Sequence, residues 1–171
     1  MLYLEILILI ILFIIIFYFS FSIFKGAPFA VTSPTKVKKI IQLAGEVKGK
    51  KVVDLGSGDG RLVIALAQAG AEAHGYEINP ILAWLSRWKI KKAKVKDKAY
   101  IHRQSYWQKN LAEYDIIVSF GIFYIMERLE KKLLNELKPG TIVISNFCKF
   151  PHWQSIKEED KIYLYQKNNY L

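Results

Sequence analysis

The stretch Lys51-Val-Val-Asp-Leu-Gly-Ser-Gly-Asp-Gly-Arg61 constrains the fold more than any other part of this chain. A short apolar run ends in Asp54 and Leu55, breaks into glycines at 56, 58 and 60, and continues as a helical pattern from Arg61 to about Ala69. Glycine at these three positions permits positive φ and removes the Cβ atoms that would hold the backbone away from a ligand. The helix that follows aims its unpaired N–H groups at the same place. Strand, glycine loop and helix in this order read as the receiving end for a nucleotide-bearing cofactor.

Spacing separates the two cofactor classes that use such a loop. The dinucleotide fingerprint G-x-G-x-x-G requires glycine at 61, which is Arg61 here. The spacing G-x-G-x-G, with Asp54 two residues ahead of Gly56 and Ser57 between the first two glycines, resembles the first motif of the class I S-adenosyl-L-methionine (SAM) methyltransferases. That resemblance implies that Asp54, Gly56, Ser57, Gly58 and Gly60 hold the methionine end of SAM. A second predicted strand, 72–77, ends in Tyr76-Glu77-Ile78-Asn79-Pro80 and places Glu77 17 residues after Gly60. An acidic residue at that distance serves the ribose hydroxyls in nucleotide-binding α/β units.

The 171 residues suit a single domain preceded by an apolar segment. Cys148 is the sole cysteine, so there is no intramolecular disulfide framework, and it reads as a small buried hydrophobe. His74, His102 and His152 lack metal-ligand spacing, and no metal site is expected. Residues 6–24 contain no charged side chain. As a helix they would span about 28 Å, close to the roughly 30 Å of bilayer hydrocarbon. With no basic flank before it and no small-x-small site after it, the run reads as a single-pass anchor rather than a cleaved leader. Lys25, Lys36, Lys38 and Lys39 follow it, which predicts a cytoplasmic location for what comes next. The expected domains are an anchor at 1–25 and a catalytic domain at 26–171.

The formal charge is +10, carried beyond the apolar segment and concentrated between Arg87 and Lys98. That run reads either as a solvated face or as a surface for anionic lipid headgroups. Basic residues near Trp84, Trp88 and Tyr100 also suit a phosphate backbone.

Strands are predicted near 51–55, 72–77, 99–104, 115–120 and 140–147, with a last short one at 162–166. Helices are predicted from Pro34 to about Gly45 and near 61–69, 79–93 and 124–137. The alternation implies an α/β fold: a Rossmann-like, doubly wound, mostly parallel sheet with helices on both faces and the ligand at the strands' carboxyl ends.

Further segments narrow the resemblance. Ala27–Pro34, Gly75–Pro80, Tyr114–Gly121, Leu129–Gly140, Phe150–Trp153 and Tyr163–Tyr165 join the glycine loop in the same order. Together they resemble a family of small protein-lysine methyltransferases that includes archaeal broad-specificity enzymes and membrane-anchored relatives acting on the c-ring protein of ATP synthase. The resemblance implies a SAM site made by Ser33, Asp54, Gly56, Ser57, Gly58, Gly60, Glu77, Ile78, Ser105 and Tyr106. Two departures stand out. Ser33-Pro34 replaces Thr-Pro, keeping the hydroxyl, and Gln104-Ser105-Tyr106-Trp107 offers no acid to the adenine amino group. No Asn/Asp-Pro-Pro-Tyr motif follows the fourth strand, which argues against methylation of nucleic-acid bases.

The implied reaction is displacement at the sulfonium methyl by a neutral lysine amine. Phe120, Phe123, Tyr124, Phe147 and Trp153 fall at predicted carboxyl ends of strands and are candidates to line an amine channel. Asn146, Tyr124 and Phe120 are the candidate catalytic residues, with Asn146 orienting the amine through its side-chain oxygen. The expected partner is a membrane or membrane-adjacent protein. The alternatives are methylation of a small molecule, a lipid or RNA, and a silent SAM-binding module.

Overall fold

Strand β1 (Lys51–Leu55) lies inside a seven-stranded sheet ordered β3-β2-β1-β4-β5-β7-β6. The other strands are β2 (Glu72–Tyr76), β3 (Ala99–His102), β4 (Ile116–Phe120), β5 (Ile142–Asn146), β6 (Lys157–Glu159) and β7 (Ile162–Gln166). β1 pairs in parallel with both β2 and β4, and β2–β3 and β4–β5 are also parallel. Parallel strands are covered on both faces, so β1 and β4 carry near-continuous apolar runs. The chain winds outward from β1 in one direction and from β4 in the other. Strand order therefore reverses between β1 and β4, the place where open α/β sheets leave a crevice at the carboxyl ends.

The computed structural model describes residues 3–13 and 32–168. The chain divides into two units, Met1–Ala30 and Val31–Leu171. In the first, residues 3–13 are helical and exposed. Among the described residues no helix is long and apolar enough to cross a membrane. Of the anchor expected at 6–24, residues 14–24 lie outside the described residues.

In the second unit the helices are α1 (Pro34–Ala44), α2 (Arg61–Gln68), α3 (Pro80–Lys92) and α4 (Met126–Glu136). α1 starts with Pro34 after Ser33, whose Oγ accepts from Lys36 N–H at 3.4 Å, and it stops at Gly45 with φ 72°. Asn79 caps α3 in the same way, accepting from Ile81 N–H at 2.9 Å and Leu82 N–H at 3.3 Å. Alternation along the strands sorts the core into two layers. Val52, Ile116, Val118 and Ile144 pack with Val37, Ile40, Leu66 and Ile90 from α1, α2 and α3. Val53, Leu55, Ile117 and Val143 pack with Leu129 and Leu133 of α4.

Several expectations shift. β6 has no counterpart among the expected strands: it pairs antiparallel with β7 across a turn in which Asp160 (φ 50°) and Lys161 (φ 61°) are both left-handed, as a two-residue hairpin requires. The helix expected from 124 begins at Met126, behind a single 3₁₀ turn at Phe123–Ile125. The strand expected at 140–147 is shorter because Gly140 (φ 89°) and Phe147 (φ 90°) turn the backbone at its two ends. His74 and His102, far apart in sequence, meet across β2–β3 with Nδ1 and Nε2 3.0 Å apart.

Gly75 in β2 lets the loop after β1 sit against the sheet. A Cβ built there would lie 2.6 Å from Cβ and Oγ of Ser57 and 2.9 Å from Ile101 Cδ1. Overpacking of this kind destabilises by about 1–3 kcal/mol. Gly75→Ala is therefore expected to lower the melting temperature by about 2–4 °C for each kcal/mol, measured by thermal unfolding, and to loosen the glycine loop that Ser57 belongs to.

Candidate functional site

The glycine loop is held by β2 on one side and α3 on the other. Gly56 N–H and Ser57 N–H both donate to Tyr76 O, at 2.9 and 3.0 Å, and Gly60 N–H donates to Ser57 O at 2.9 Å. Ser86 Oγ donates to Gly58 O at 2.7 Å. Gly56, Gly58 and Gly60 all have positive φ, of 85°, 54° and 77°. A Cβ at Gly60 would come within 2.9 Å of Ser86 Cβ, whereas one at Gly56 would meet nothing within 4 Å. Gly60 is required for packing against α3, and Gly56 keeps open an exposed cradle at the carboxyl end of β1.

Three carboxylates surround this loop, each in a different state. Glu77 is buried and accepts from Gly58 N–H at 2.9 Å and from Asn79 N–H at 2.7 Å. Burial raises its pKa, and these backbone donors restrain the rise. Each carboxylate oxygen keeps a further lone pair for a ligand hydroxyl. Asp54 is buried without such donors, and burial, with Glu77 and Asp59 adding repulsion, pushes it up to about 7. Asp59 is also penalised by burial. Hydrogen bonds from Arg61 (Nη2 at 2.7 Å) and Lys89 (Nζ at 2.6 Å) outweigh that and hold it at about 2.

Asp59 and its two cations form a clamp that sequence reasoning missed, because Lys89 lies 30 residues away and reads as part of the basic run. Arg61 extends the clamp to the start of the domain through Nη1, which donates to Thr32 O at 3.1 Å. Arg87 likewise turns inward, donating to Ile101 O at 2.9 Å. The exposed remainder of the run is Lys91, Lys92, Lys94, Lys96 and Lys98.

Across the switch point, β4 and β5 end side by side, with Phe120 in register with Asn146. Asn146 continues the face of Ile142 and Ile144, which points toward α1. It is 1% exposed, its Oδ1 accepts from Lys36 Nζ at 3.2 Å, and its Nδ2 has no partner. Ser57 Oγ and Ser119 Oγ are the other buried side-chain atoms without a partner among the described residues. All three stand at the carboxyl ends of β1, β4 and β5. Buried polar groups are nearly always hydrogen-bonded, so three orphans along one edge mark where a polar ligand is due.

Aromatic side chains ring the β4–β5 end. Phe120 stacks on Phe147 at 5.8 Å, and Phe123 and Tyr124 are 88% and 63% exposed. Trp153, a candidate for the same channel, is instead buried against Phe150 and Tyr165 in the α4-side core, because the chain after β5 folds back under the sheet. Of the remaining candidates, Ser33 serves as the cap of α1, and Ile78 is exposed just beyond Glu77. Ser105 caps a 3₁₀ turn in which Tyr106 packs on Trp107 at 4.8 Å. Burial pushes the Tyr106 hydroxyl up to about 12. The structure thus gathers Asp54, the loop and Glu77 on one side of the switch point and Asn146, Phe120 and Tyr124 on the other.

Asp54 makes stability depend on pH. In the folded protein it keeps its proton to about pH 7, whereas an unfolded aspartate loses it near pH 3.9. The folded state therefore binds the extra proton between these values, and stability falls as pH rises through that window. Asp54→Asn removes the effect. The variant should melt higher than the parent at pH 8 by at least about 3 °C, equivalent to roughly 1 kcal/mol in a domain of this size, and the difference should narrow toward pH 4. A gap independent of pH would mean that Asp54 is ionised as usual.

The family model described as the ANTKMT methyltransferase domain matches residues 54–157. The lysine N-methyltransferase of the ATP synthase C chain from Rattus norvegicus is 40% identical over 126 residues, 74% of this chain and 58% of that protein. The protein-lysine N-methyltransferase of Saccharolobus islandicus is 31% identical over 148 residues, covering 81% of this chain and 92% of that one. The crystal structure of an RNA methyltransferase from Salinibacter ruber in complex with S-adenosyl-L-homocysteine superposes with a TM-score of 0.78 at 26% identity, over 82% of this chain and 95% of that one. The chain spans 51–58% of the length of the vertebrate ATP synthase lysine N-methyltransferases that it matches. The glycine loop, Glu77 and the paired ends of β4 and β5 all lie within the matched residues, and the chain belongs to the ANTKMT methyltransferase domain family.

Proposed function

We propose that this protein is a SAM-dependent protein-lysine N-methyltransferase. The observation that carries the amine specificity is the hydrogen bond that Asn146 Oδ1 accepts from a lysine ammonium at 3.2 Å, beside the aromatic rim. The names of the relatives from Rattus norvegicus and Saccharolobus islandicus support the same reading.

The residues present fit SAM. The Gly56–Gly60 loop with Asp54 and the unpartnered Ser57 Oγ would hold the methionine end, and Glu77 would take the ribose hydroxyls. Ile78, Ser105 and Tyr106 would flank the adenine, and Ser33, the cap of α1, stands with them as a cofactor-binding candidate. When bound, SAM supplies a sulfonium methyl group open to attack by an amine.

The chain's own residues deal with the acceptor. A lysine with pKa about 10.4 is neutral in roughly one part in 2,500 at pH 7, a handicap of about 4.6 kcal/mol. Phe120, Phe147, Phe123 and Tyr124 offer apolar surface that excludes water and so disfavours the charged amine. Asn146 Oδ1 accepts from the amine N–H and fixes its direction, and orientation supplies much of the remaining rate.

Finer features of the reading rest on sequence. The apolar run 6–24 serves as a single-pass anchor that keeps the catalytic domain on the cytoplasmic side, and the exposed lysines from Lys91 to Lys98 attract anionic headgroups. The substrate is then a membrane or membrane-adjacent protein. RNA methylation is the second reading, favoured by the Salinibacter ruber neighbour. It is opposed by the residues after β4, Ser119-Phe-Gly-Ile-Phe-Tyr124, which provide no base-binding Asn-Pro-Pro-Tyr.

Labelled methyl from SAM, supplied to membranes and soluble extract from the source cells, should appear in protease-sensitive material that hydrolyses to methyl-lysine. The Gly56→Arg protein, with its cradle filled, should give none. Asn146→Ala should bind SAM normally while kcat falls by about 100-fold, the size expected for a misplaced reacting group. Label in nuclease-sensitive or lipid-extractable material would replace lysine with RNA or lipid as the acceptor. SAM binding with no transfer to any fraction would indicate a silent binding module.

A further inference from the structure

We propose that Lys36 is itself an acceptor, and that the protein methylates its own Lys36 Nζ within one molecule. The proposal rests on the lysine-methyltransferase reading above and deepens it by naming a substrate on the chain.

Lys36 differs from Lys39, Lys51, Lys89 and Lys132 in the partner it has. Those four are each paired with carboxylates. Lys36 Nζ instead meets a neutral amide, Asn146 Oδ1, and no ion pair joins it to a described carboxylate. An amide oxygen accepts a hydrogen bond from a neutral amine as well as from an ammonium, so this partner survives loss of the proton, whereas a salt bridge would oppose it. Asn146 is also the residue assigned to orient the incoming amine. Its Nδ2 is buried and unpartnered, so the amide is not committed elsewhere.

The position of Lys36 is set by the fold. Val37 and Ile40 are buried against β5 and β7 and fix the rotation of α1. Ser33 caps the first turn. Lys39 ties the helix to the β6–β7 hairpin through Glu159 at 2.9 Å and Asp160. Lys36 lies one turn before Ile40 and so projects toward the carboxyl end of β5, half-exposed, with Phe120 at the adjacent strand end. An amine delivered by the same chain carries no penalty of bimolecular encounter.

In the transfer, Nζ first gives a proton to water. Its lone pair then forms the bond to the methyl carbon of SAM, whose bond to sulfur breaks with the electron pair remaining on sulfur. The sulfonium becomes a neutral thioether and the positive charge passes to the methylated Nζ. Charge and atoms balance with no co-reactant besides SAM.

The test is the mass of the full chain as isolated from a SAM-producing host, before any cofactor is added, followed by peptide mapping. Methyl groups should be found on Lys36 and not on Lys38 or Lys39, and should be absent from the Gly56→Arg protein. When the unmodified fraction is incubated with SAM, the rate per molecule should stay constant across a dilution series, and Lys36→Arg should remove that label. An unmodified Lys36 in protein that methylates lysines of other proteins would overturn the proposal and leave the enzyme reading intact. A rate that falls on dilution would overturn transfer within one molecule. SAM binding with no methyl-lysine on any protein would overturn both.

Discussion

The hydrogen bonds from Gly58 N–H and Asn79 N–H to the buried carboxylate of Glu77 hold the site together. They join the loop after β1 to the turn after β2, so the two halves of the cradle cannot separate without exposing an unpaired buried charge. Hydrogen bonds to a charged acceptor are roughly twice as strong as neutral ones, which offsets part of the burial of Glu77. Gly75 lets Ser57 lie close, Ser86 secures Gly58 from α3, and the clamp of Asp59 with Arg61 and Lys89 ties the loop to both flanking helices. The loop is therefore rigid before a ligand arrives, which reduces the ordering penalty of binding.

The tension at Asp54 complements that rigidity. It is buried near Glu77 and Asp59 without hydrogen-bond donors of its own, and it holds its proton to about pH 7. A cationic ligand beside it would favour its ionised form. The fold thus carries unfavourable electrostatics at Asp54 and unpaired polar atoms at Ser57, Ser119 and Asn146 along one edge, a pattern common where strain is kept for function.

Much of this was legible in the sequence because it is local. The apolar run before Gly56, the glycine spacing and Glu77 follow one another along some 25 residues of chain, and alternating strands and helices imply a parallel sheet. What could not be read depends on contacts between distant residues. Lys36 meets Asn146 across 110 positions. β6 is a charged, exposed edge strand with neither apolar alternation nor a glycine in its turn, so it lacks the usual signals. Trp153 sits at a strand-end position by sequence, yet the chain after β5 carries it into the core. Lys89 reads as a surface charge because its partner Asp59 belongs to another element. The apolar run 6–24 is legible by composition alone, and its role as an anchor is a proposal.

In the proposed site, one edge of the sheet joins a SAM cradle to an amine-orienting amide. A crystal structure of the protein with bound S-adenosyl-L-homocysteine tests it most directly. The ribose hydroxyls are expected on Glu77, the homocysteine over Gly56 to Gly58, and the sulfur facing the Asn146 side chain across the ends of β4 and β5. A ligand bound away from the glycine loop, or a sulfur turned from Asn146 with the amide closed off, would contradict it.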